Sequence, residues 1–318
     1  MKKPRIVFFE KDSLQPDDLD FSCMEEAGDC TFYNVISPAE TLKHIADADV
    51  VVANKLQMTR EVIENSPNLK QIVVAATGVN NVDLDACREH GIAVYNCQSY
   101  GNESVVQHTF ALMFALTNQL MANNEMARTE WKNSQQFCVL SYLPTQIAGK
   151  TFGIVGYGAL GQKAEQVAKA LGMNVLVAAR KGRAAQGNRV PFDQLLAQAD
   201  VISLHCPFTE ETKDLFTLVE LQKMKPTAIL VSTARGGIVN EMDLVTALQQ
   251  GVIAGAGLDV LSEEPPRNGN VLLDYAGHNL IVTPHIAWAS REARQTLLNQ
   301  VAENVTAFIE GRHLRRIC

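Results

Sequence analysis

The stretch Thr151 to Gly161, TFGIVGYGALG, decides how the rest of the chain is read. A short apolar run, Phe152 to Val155, leads into Gly156, Gly158 and Gly161, and Gln162 to Ala170 continues with good helix formers and no proline. Strand, glycine-rich turn and helix in that order make a dinucleotide-binding fingerprint in its context, where a bare glycine triplet would be weak. Each glycine answers a separate demand. Gly156 permits the tight turn off the strand, Gly158 lets the backbone approach a pyrophosphate, and Gly161 lets the new helix pack on the strand. The first helix amides then face the phosphates, at the end where the helix dipole favours negative charge.

Bulk properties narrow the function classes. A chain of 318 residues suits two domains of ordinary size. With 47% hydrophobic and 20% charged residues it has a soluble globular balance. Its formal net charge of -7, without a basic stripe carrying interleaved aromatics, argues against a nucleic-acid partner. The apolar run Ile6 to Phe9 is cut off at Glu10 and Lys11, too short for a signal-peptide core, and no run approaches a membrane span. Cys23, Cys30, Cys87, Cys97, Cys138, Cys206 and Cys318 are scattered and never form a CxxC pair. Reduced packing thiols, no metal site and a cytoplasmic location are therefore expected.

Outward from the fingerprint, β-rich apolar runs alternate with helical stretches, the pattern of parallel sheets covered by helices. Before it come RIVFF (Arg5 to Phe9), CTFYNV (Cys30 to Val35), DVVVA (Asp49 to Ala53), QIVVAA (Gln71 to Ala76) and IAVYN (Ile92 to Asn96). One long helix is expected from about Glu103 to about Met126, apolar on more than one face, then an irregular connection from Trp131 to Pro144. After the fingerprint come NVLVAA (Asn174 to Ala179), VISLHC (Val201 to Cys206), AILVSTA (Ala228 to Ala234), GAGLDV (Gly255 to Val260) and NLIVTPH (Asn279 to His285). With Thr151 to Val155 these make the six strands of a dinucleotide-binding sheet. The first set of strands is short of covering helices, whereas Arg291 to Glu310 is a helix beyond the second sheet, so a return of the C-terminus to the first domain is expected.

Chemistry-bearing residues gather where strands should end, the edge at which open α/β sheets bind ligands. Lys55 and the loop Thr77-Gly78-Val79 follow two strands of the first domain, though a solvated charge and a polar turn would also explain them. Ala178-Ala179-Arg180-Lys181 stands where the acid that bonds the adenine-ribose hydroxyls is expected. Without a carboxylate nothing repels a ribose 2′-phosphate, and Arg180, Lys181 and Arg183 could pair with one. The cofactor is therefore NADP or NAD, with NADP favoured. Arg235, Glu264 and His285 each follow a later strand; singly each has a plainer reading, as surface charge or loop histidine. Together they suit reduction of a 2-oxo acid: a planar guanidinium to hold carboxylate and carbonyl, an imidazole to give the proton, and a carboxylate beside it.

The motifs GYGALG (Gly156 to Gly161), HCPFTEET (His205 to Thr212), STARGGIVNE (Ser232 to Glu241), GLDVLSEEPP (Gly257 to Pro266) and TPHIAWAS (Thr283 to Ser290) resemble those of the D-isomer-specific 2-hydroxyacid dehydrogenases, in the family's order. ATGVNNVDL (Ala75 to Leu84) and YGNESVVQHTFAL (Tyr100 to Leu112) look like the glycerate dehydrogenase, or hydroxypyruvate reductase, branch, so the resemblance covers nearly the whole chain. It implies an α/β fold of two doubly wound parallel-sheet domains, a Rossmann dinucleotide-binding domain inserted in a flavodoxin-like substrate domain. The boundaries would be 1–99 and 287–318 for the substrate domain and 100–286 for the nucleotide domain. It implies that Arg235 holds the substrate and that His285, paired with Glu264, is the acid-base. The amides of Thr77, Gly78 and Val79 would bind the substrate carboxylate, and Lys55 is counted with them as a substrate-binding candidate from its place after a strand. Cofactor contacts would come from Gly156, Tyr157, Gly158, Ala159, Leu160, Gly161, Arg180, Lys181, Cys206, Pro207, Thr212, Thr233, Ala234, Arg235, Asp259 and His285. A homodimer formed through the nucleotide domains and the long helix is implied as well.

Departures from the family pattern bear on these expectations. Ala179 replaces the acid often found there, and Leu261 an aromatic residue after GLDV, which reads as a packing change. The sequence ends at Cys318, so the serine-responsive regulatory domain of many phosphoglycerate dehydrogenases is not expected. Hydroxypyruvate giving D-glycerate, or glyoxylate giving glycolate, is the expected reaction. The alternative is a dinucleotide-sensing binding protein like the co-repressors built on this scaffold, since fold does not fix function. A formate dehydrogenase would be expected to have glutamine in place of Glu264.

Overall fold

Runs such as VVVA and the IVV of Ile72 to Val74 have no polar alternate positions, so strands made from them need cover on both faces. In the computed structural model, which describes residues 3–34 and 38–318, they form the middle of a parallel sheet. Val35, the expected end of the second strand, lies outside the described residues. The chain divides into two compact units, Met1–Gly101 with Trp288–Cys318, and Asn102–Ala287.

The first unit runs β1 (Arg5–Phe9), α1 (Ser22–Ala27), β2 (Asp29–Tyr33), α2 (Pro38–Ile45), β3 (Val50–Ala53), α3 (Arg60–Glu64), β4 (Gln71–Val74), α4 (Leu84–Glu89) and β5 (Ala93–Tyr95). All pairings are parallel and the strand order is β2-β1-β3-β4-β5, the flavodoxin-like order. The order reverses between β1 and β3, where Phe8 stands level with Val52. One face packs Val7, Phe9, Val51 and Ile72 against Ile45, Ile63 and Ala86 of the connecting helices. The other face packs Phe8, Val50 and Val52 against Met24 and against Leu297, Leu298, Val301 and Val305 of the C-terminal helix, Arg291–Ile309. That helix supplies the cover which the first half of the chain lacks. Beyond it the tail returns to β5, where the Ile317 amide donates to the Val94 carbonyl at 2.7 Å and closes an otherwise open sheet edge.

The second unit contains α5 (Asn102–Thr117), α6 (Leu120–Thr129), β6 (Thr151–Val155), α7 (Ala159–Ala170), β7 (Asn174–Val177), α8 (Phe192–Gln198), β8 (Val201–Leu204), α9 (Leu218–Leu221), β9 (Ile229–Ser232), α10 (Glu241–Gln249), β10 (Gly255–Leu258) and β11 (Leu280–Val282). Its 6-stranded parallel sheet has the order β7-β6-β8-β9-β10-β11. A single bridge between Ala178 and Val190 stands outside β7, where a dinucleotide-binding sheet usually carries one more strand. The polar segment before Val190, GRAAQGNR, has no β-forming run with which to extend it. One face is covered by α8, α9 and α10, the other by α5 and α7.

The single long helix expected over Glu103 to Met126 is instead two. Thr117 and Asn118 turn their side chains back onto the Met113 and Phe114 carbonyls at 2.9 and 3.0 Å. Gln119 takes the left-handed conformation, φ 52°, and the chain restarts as α6. Side-chain competition of this kind for backbone partners ends helices, and it leaves no trace in the hydrophobic pattern.

Arg294 fixes the C-terminal helix to the turn after β1. Its buried guanidinium donates to the Leu14 and Gln15 carbonyls, both at 2.9 Å, and to the two Asp18 carboxylate oxygens at 2.6 and 2.7 Å. The hydrogen bond from Arg294 holds the Asp18 carboxyl below its ordinary value of 3.8. With the folded value the lower one, this stabilisation is complete above the unfolded value and is lost as pH falls through the folded value. Acid unfolding of an Arg294→Met variant should therefore show a weaker pH dependence below about pH 4 than wild type. Identical slopes would rule out a contribution from this pair.

Candidate active site

The order of the second sheet reverses at β6, whose neighbours are β7 and β8, and the crevice beyond such a reversal is where these sheets hold ligands. The fingerprint turn lies there. Gly156 has φ 97°, and a Cβ on it would stand 2.4 Å from the Cys206 amide nitrogen, while one on Gly161 would stand 2.2 Å from the Gly156 carbonyl oxygen. Gly158 is different. Its φ is −83° and a Cβ built on it meets nothing within 4 Å, so no protein contact demands glycine there. What its smallness preserves is room for a ligand beside the start of α7. The first bond of that helix runs from the Gln162 amide to the Gly158 carbonyl at 3.0 Å, and no side chain caps the helix. The Ala159, Leu160 and Gly161 amides therefore lie at an uncapped helix start. This arrangement fits the pyrophosphate of a dinucleotide. Tyr157 donates its hydroxyl to Glu165 on the same helix. Across the crevice, Thr212 donates to the Pro207 carbonyl at 2.7 Å and accepts from the Thr209 amide at 2.7 Å, which shapes the loop that begins at Cys206.

At the end of β7 an open pocket of about 460 Å³ is lined by Ala179, Arg180, Arg183, Ala184, Gln186 and Arg189. Lys181, expected beside Arg180 at a phosphate, is instead turned to Glu220 at 2.9 Å. Glu220 is buried because it caps α9, accepting from the Thr217 hydroxyl at 2.6 Å and amide at 3.1 Å, and a buried carboxylate needs a counter-charge. Arg189 occupies the pocket in its stead. Its signal in the sequence was only its place before Val190, whose bridge to Ala178 folds the segment back. Glu211 lies 3.9 Å from Arg180 and 3.8 Å from Arg183, all three exposed.

Glu264 and His285 meet directly, Oε2 to Nδ1 at 2.6 Å. A carboxylate oxygen only accepts, so Nδ1 carries the proton of this bond. The other oxygen of Glu264 accepts from the Leu261 amide at 2.9 Å, which fixes the plane of the carboxylate. Leu261 also reaches the arginine loop: a Cβ on Gly236 would stand 1.8 Å from the Leu261 carbonyl oxygen. The residue beside Arg235 must therefore be glycine, and the two loops interlock through backbone alone. The Leu261 side chain, noted as a departure, is buried in the core. Arg235 is exposed and donates to its neighbour's carbonyl, that of Ala234, at 2.7 Å.

His285 has φ 56°, uncommon for a residue with a Cβ, and Asp259 holds it so. Asp259 was expected among the cofactor contacts, yet it is 1% exposed and its oxygens serve the turn around His285. They accept from the Thr283 hydroxyl at 2.5 Å, the Ile286 amide at 3.0 Å and the Ala287 amide at 2.8 Å. With its proton given to Asp259, the Thr283 hydroxyl accepts from His108 Nε2 at 2.9 Å. Thr233 is likewise engaged, its hydroxyl 3.0 Å from that of Thr109 on α5. His108 and Thr283 each lie in a motif quoted from the sequence, but their pairing across 175 residues leaves no pattern there.

Lys55, Thr77, Gly78 and Val79 belong to the first unit; Arg235, Glu264 and His285 belong to the second. Lys55, Thr77 and Gly78 are exposed. The Thr77 carbonyl accepts from Asn96 at 2.7 Å, and the Val82 amide closes a turn onto the Val79 carbonyl at 3.0 Å. None of the seven cysteines forms a disulfide. Among the described residues no helix is long and apolar enough to cross a membrane, and no group of His, Cys, Asp or Glu could hold a metal ion.

Comparison with known proteins agrees with this layout. Residues 110–287 match the family model described as D-isomer specific 2-hydroxyacid dehydrogenase, NAD binding domain. A glycerate dehydrogenase from Methylorubrum extorquens is 41% identical over 97% of each chain. A hydroxypyruvate reductase from Blautia hydrogenotrophica is 39% identical over 96% of this chain and 97% of its own. Among solved structures, a D-lactate dehydrogenase from Aquifex aeolicus complexed with NAD and lactic acid superposes with a TM-score of 0.79 at 26% identity, over 96% of both chains.

The contrast between two glycines makes the pyrophosphate site testable. Gly158→Ala should fold with an unchanged melting temperature but bind dinucleotide at least about tenfold more weakly by calorimetry, since its added methyl meets only ligand. Gly156→Ala should lose stability, because it is strained at positive φ and abuts backbone. Tight dinucleotide binding by Gly158→Ala would contradict the assignment.

Proposed function

The chain belongs to the D-isomer specific 2-hydroxyacid dehydrogenase family, and from that premise we propose that it reduces a small 2-oxo acid, hydroxypyruvate to D-glycerate or glyoxylate to glycolate. The observation that carries the reading is the 2.6 Å pair of Glu264 and His285, with the Glu264 loop interlocked with the one bearing Arg235. The relatives named for glycerate and hydroxypyruvate support the choice of substrate. Both relatives carry the names of enzymes, which favours this reading over the co-repressor-like alternative.

In this reading Arg235 holds the substrate carboxylate and carbonyl in one plane, and Lys55 with the amides of Thr77, Gly78 and Val79 holds the carboxylate. A bound nicotinamide dinucleotide supplies the hydride for the carbonyl carbon. His285 delivers the proton to the carbonyl oxygen through Nε2, the nitrogen Glu264 does not hold, so the carbonyl becomes a hydroxyl. Glu264 keeps the ring in that tautomer and stabilises the imidazolium before transfer. For oxidation of the hydroxy acid the proton runs the other way.

NADP is proposed as the preferred cofactor, on the pocket lined by Arg180, Arg183 and Arg189 and on Ala179 in place of an acid. A homodimer is proposed on the exposed apolar residues Trp131, Phe137, Leu140 and Leu143. A cytoplasmic location is proposed on the seven unpaired thiols.

Steady-state kinetics test each part. His285→Ala should lower kcat by roughly 10²- to 10⁴-fold with little change in dinucleotide affinity. Arg235→Ala should raise the KM for the 2-oxo acid as well as lower kcat. Unaltered turnover in either variant would remove its assigned role. Wild type should prefer NADPH to NADH, and replacing Arg180 and Arg189 by alanine should raise the KM for NADPH at least about tenfold while sparing NADH; a tenfold preference of wild type for NADH would sink the idea. Light scattering should give twice the chain mass of 34.9 kDa, and a monomer would refute the dimer.

A further inference from the structure

The first sheet has a crevice of its own at the reversal between β1 and β3, and the chain fills it from within. Glu10, the residue after β1, is left-handed, with φ 61° and ψ 35°. A single oxygen of its carboxylate, Oε2, accepts from three successive amides of the loop after β3: Asn54 at 2.9 Å, Lys55 at 2.7 Å and Leu56 at 2.9 Å. Successive amides converging on one point form an anion-binding nest, and a sheet's switch point is where ligands gather. Here the anion is a side chain. Three charge-assisted bonds offset the cost of holding a residue with a Cβ in the left-handed region.

The constraint spreads from this nest. The Asn54 side chain donates to the Ser13 hydroxyl at 3.1 Å, and the Gln57 side chain to the Lys55 carbonyl at 3.2 Å. The Leu56 carbonyl accepts from Asn81 at 2.9 Å, and the Met58 amide donates to the Asn81 carbonyl at 2.7 Å. Asn81 closes the loop that carries Thr77, Gly78 and Val79. One carboxylate thus anchors the Lys55 loop and, through Asn81, the loop after β4.

We propose that Glu10 is a positioning residue for 2-oxo acid binding, setting the pose of Lys55 and of the Thr77 to Val79 loop while touching no substrate itself. The proposal rests on the reading of those loops as the substrate carboxylate site. Glu10→Gly removes the carboxylate yet leaves a residue that adopts φ 61° freely, so the turn survives. It should raise the KM for hydroxypyruvate by roughly tenfold to hundredfold, with the KM for the reduced dinucleotide unchanged. Glu10→Gln, of the same length but uncharged, should fall between Glu10→Gly and wild type, and it serves if the glycine variant fails to fold. A merely structural role would lower the melting temperature and affect both KM values alike. Unchanged KM for the 2-oxo acid in a folded variant, or parallel loss for both ligands, overturns the proposal while the enzyme assignment stands. Wild type inactive on every 2-oxo acid would instead remove the reading beneath it, and the proposal with it.

Discussion

A carboxylate removed from water must be given donors, and the placement of Asp259 follows from that requirement. Its donors are the Thr283 hydroxyl and the Ile286 and Ala287 amides, which stand on either side of His285. The buried charge therefore determines the path of the turn, and the turn holds His285 at a positive φ that it would not keep alone. Mobility at this point would separate the imidazole from Glu264. The buried Asp259 side chain thus sets the turn from which His285 reaches Glu264 at 2.6 Å.

The same device recurs at other strand ends. Glu10 gathers the amides after β3, Glu264 takes the Leu261 amide, and Glu241 accepts the Ser262 amide at 2.7 Å and hydroxyl at 2.8 Å. In each case an acid at or near a helix start or strand end fixes a loop that an all-parallel sheet leaves at its carboxyl edge. Parallel strands force every connection back across the sheet, so such loops arise in number at one edge. Loops are the least stable parts of a fold, and charge-assisted bonds are the means of ordering them without enlarging the core.

Much of this was legible in the sequence. Every strand of both sheets follows an apolar run that the pattern isolates, and GYGALG marks the dinucleotide turn because Gly156 and Gly161 answer close backbone approaches while Gly158 leaves open space beside the helix start. Arg235, Glu264 and His285 could be singled out because each follows a strand with chemistry to offer. What escaped depended on partners distant in sequence. The break at Asn118 and Gln119 comes from side chains folding back on the backbone, Lys181 turns away from the arginine-lined pocket because Glu220 is buried 39 residues later, and Gly236 is dictated by the carbonyl of Leu261. Hydrophobic periodicity records which face of an element is covered, and it is silent on such long-range polar pairings.

The central claim is that these loops form a reductase for a short 2-oxo acid. Its most direct test is the absorbance of the reduced nicotinamide band when purified protein and NADPH or NADH are mixed with hydroxypyruvate, glyoxylate, pyruvate or 2-oxoglutarate, followed by chiral analysis of the product. The account predicts rapid oxidation with hydroxypyruvate or glyoxylate and, from hydroxypyruvate, glycerate of the D configuration alone. Tight dinucleotide binding without oxidation in the presence of any of these acids, or an L product, would contradict it.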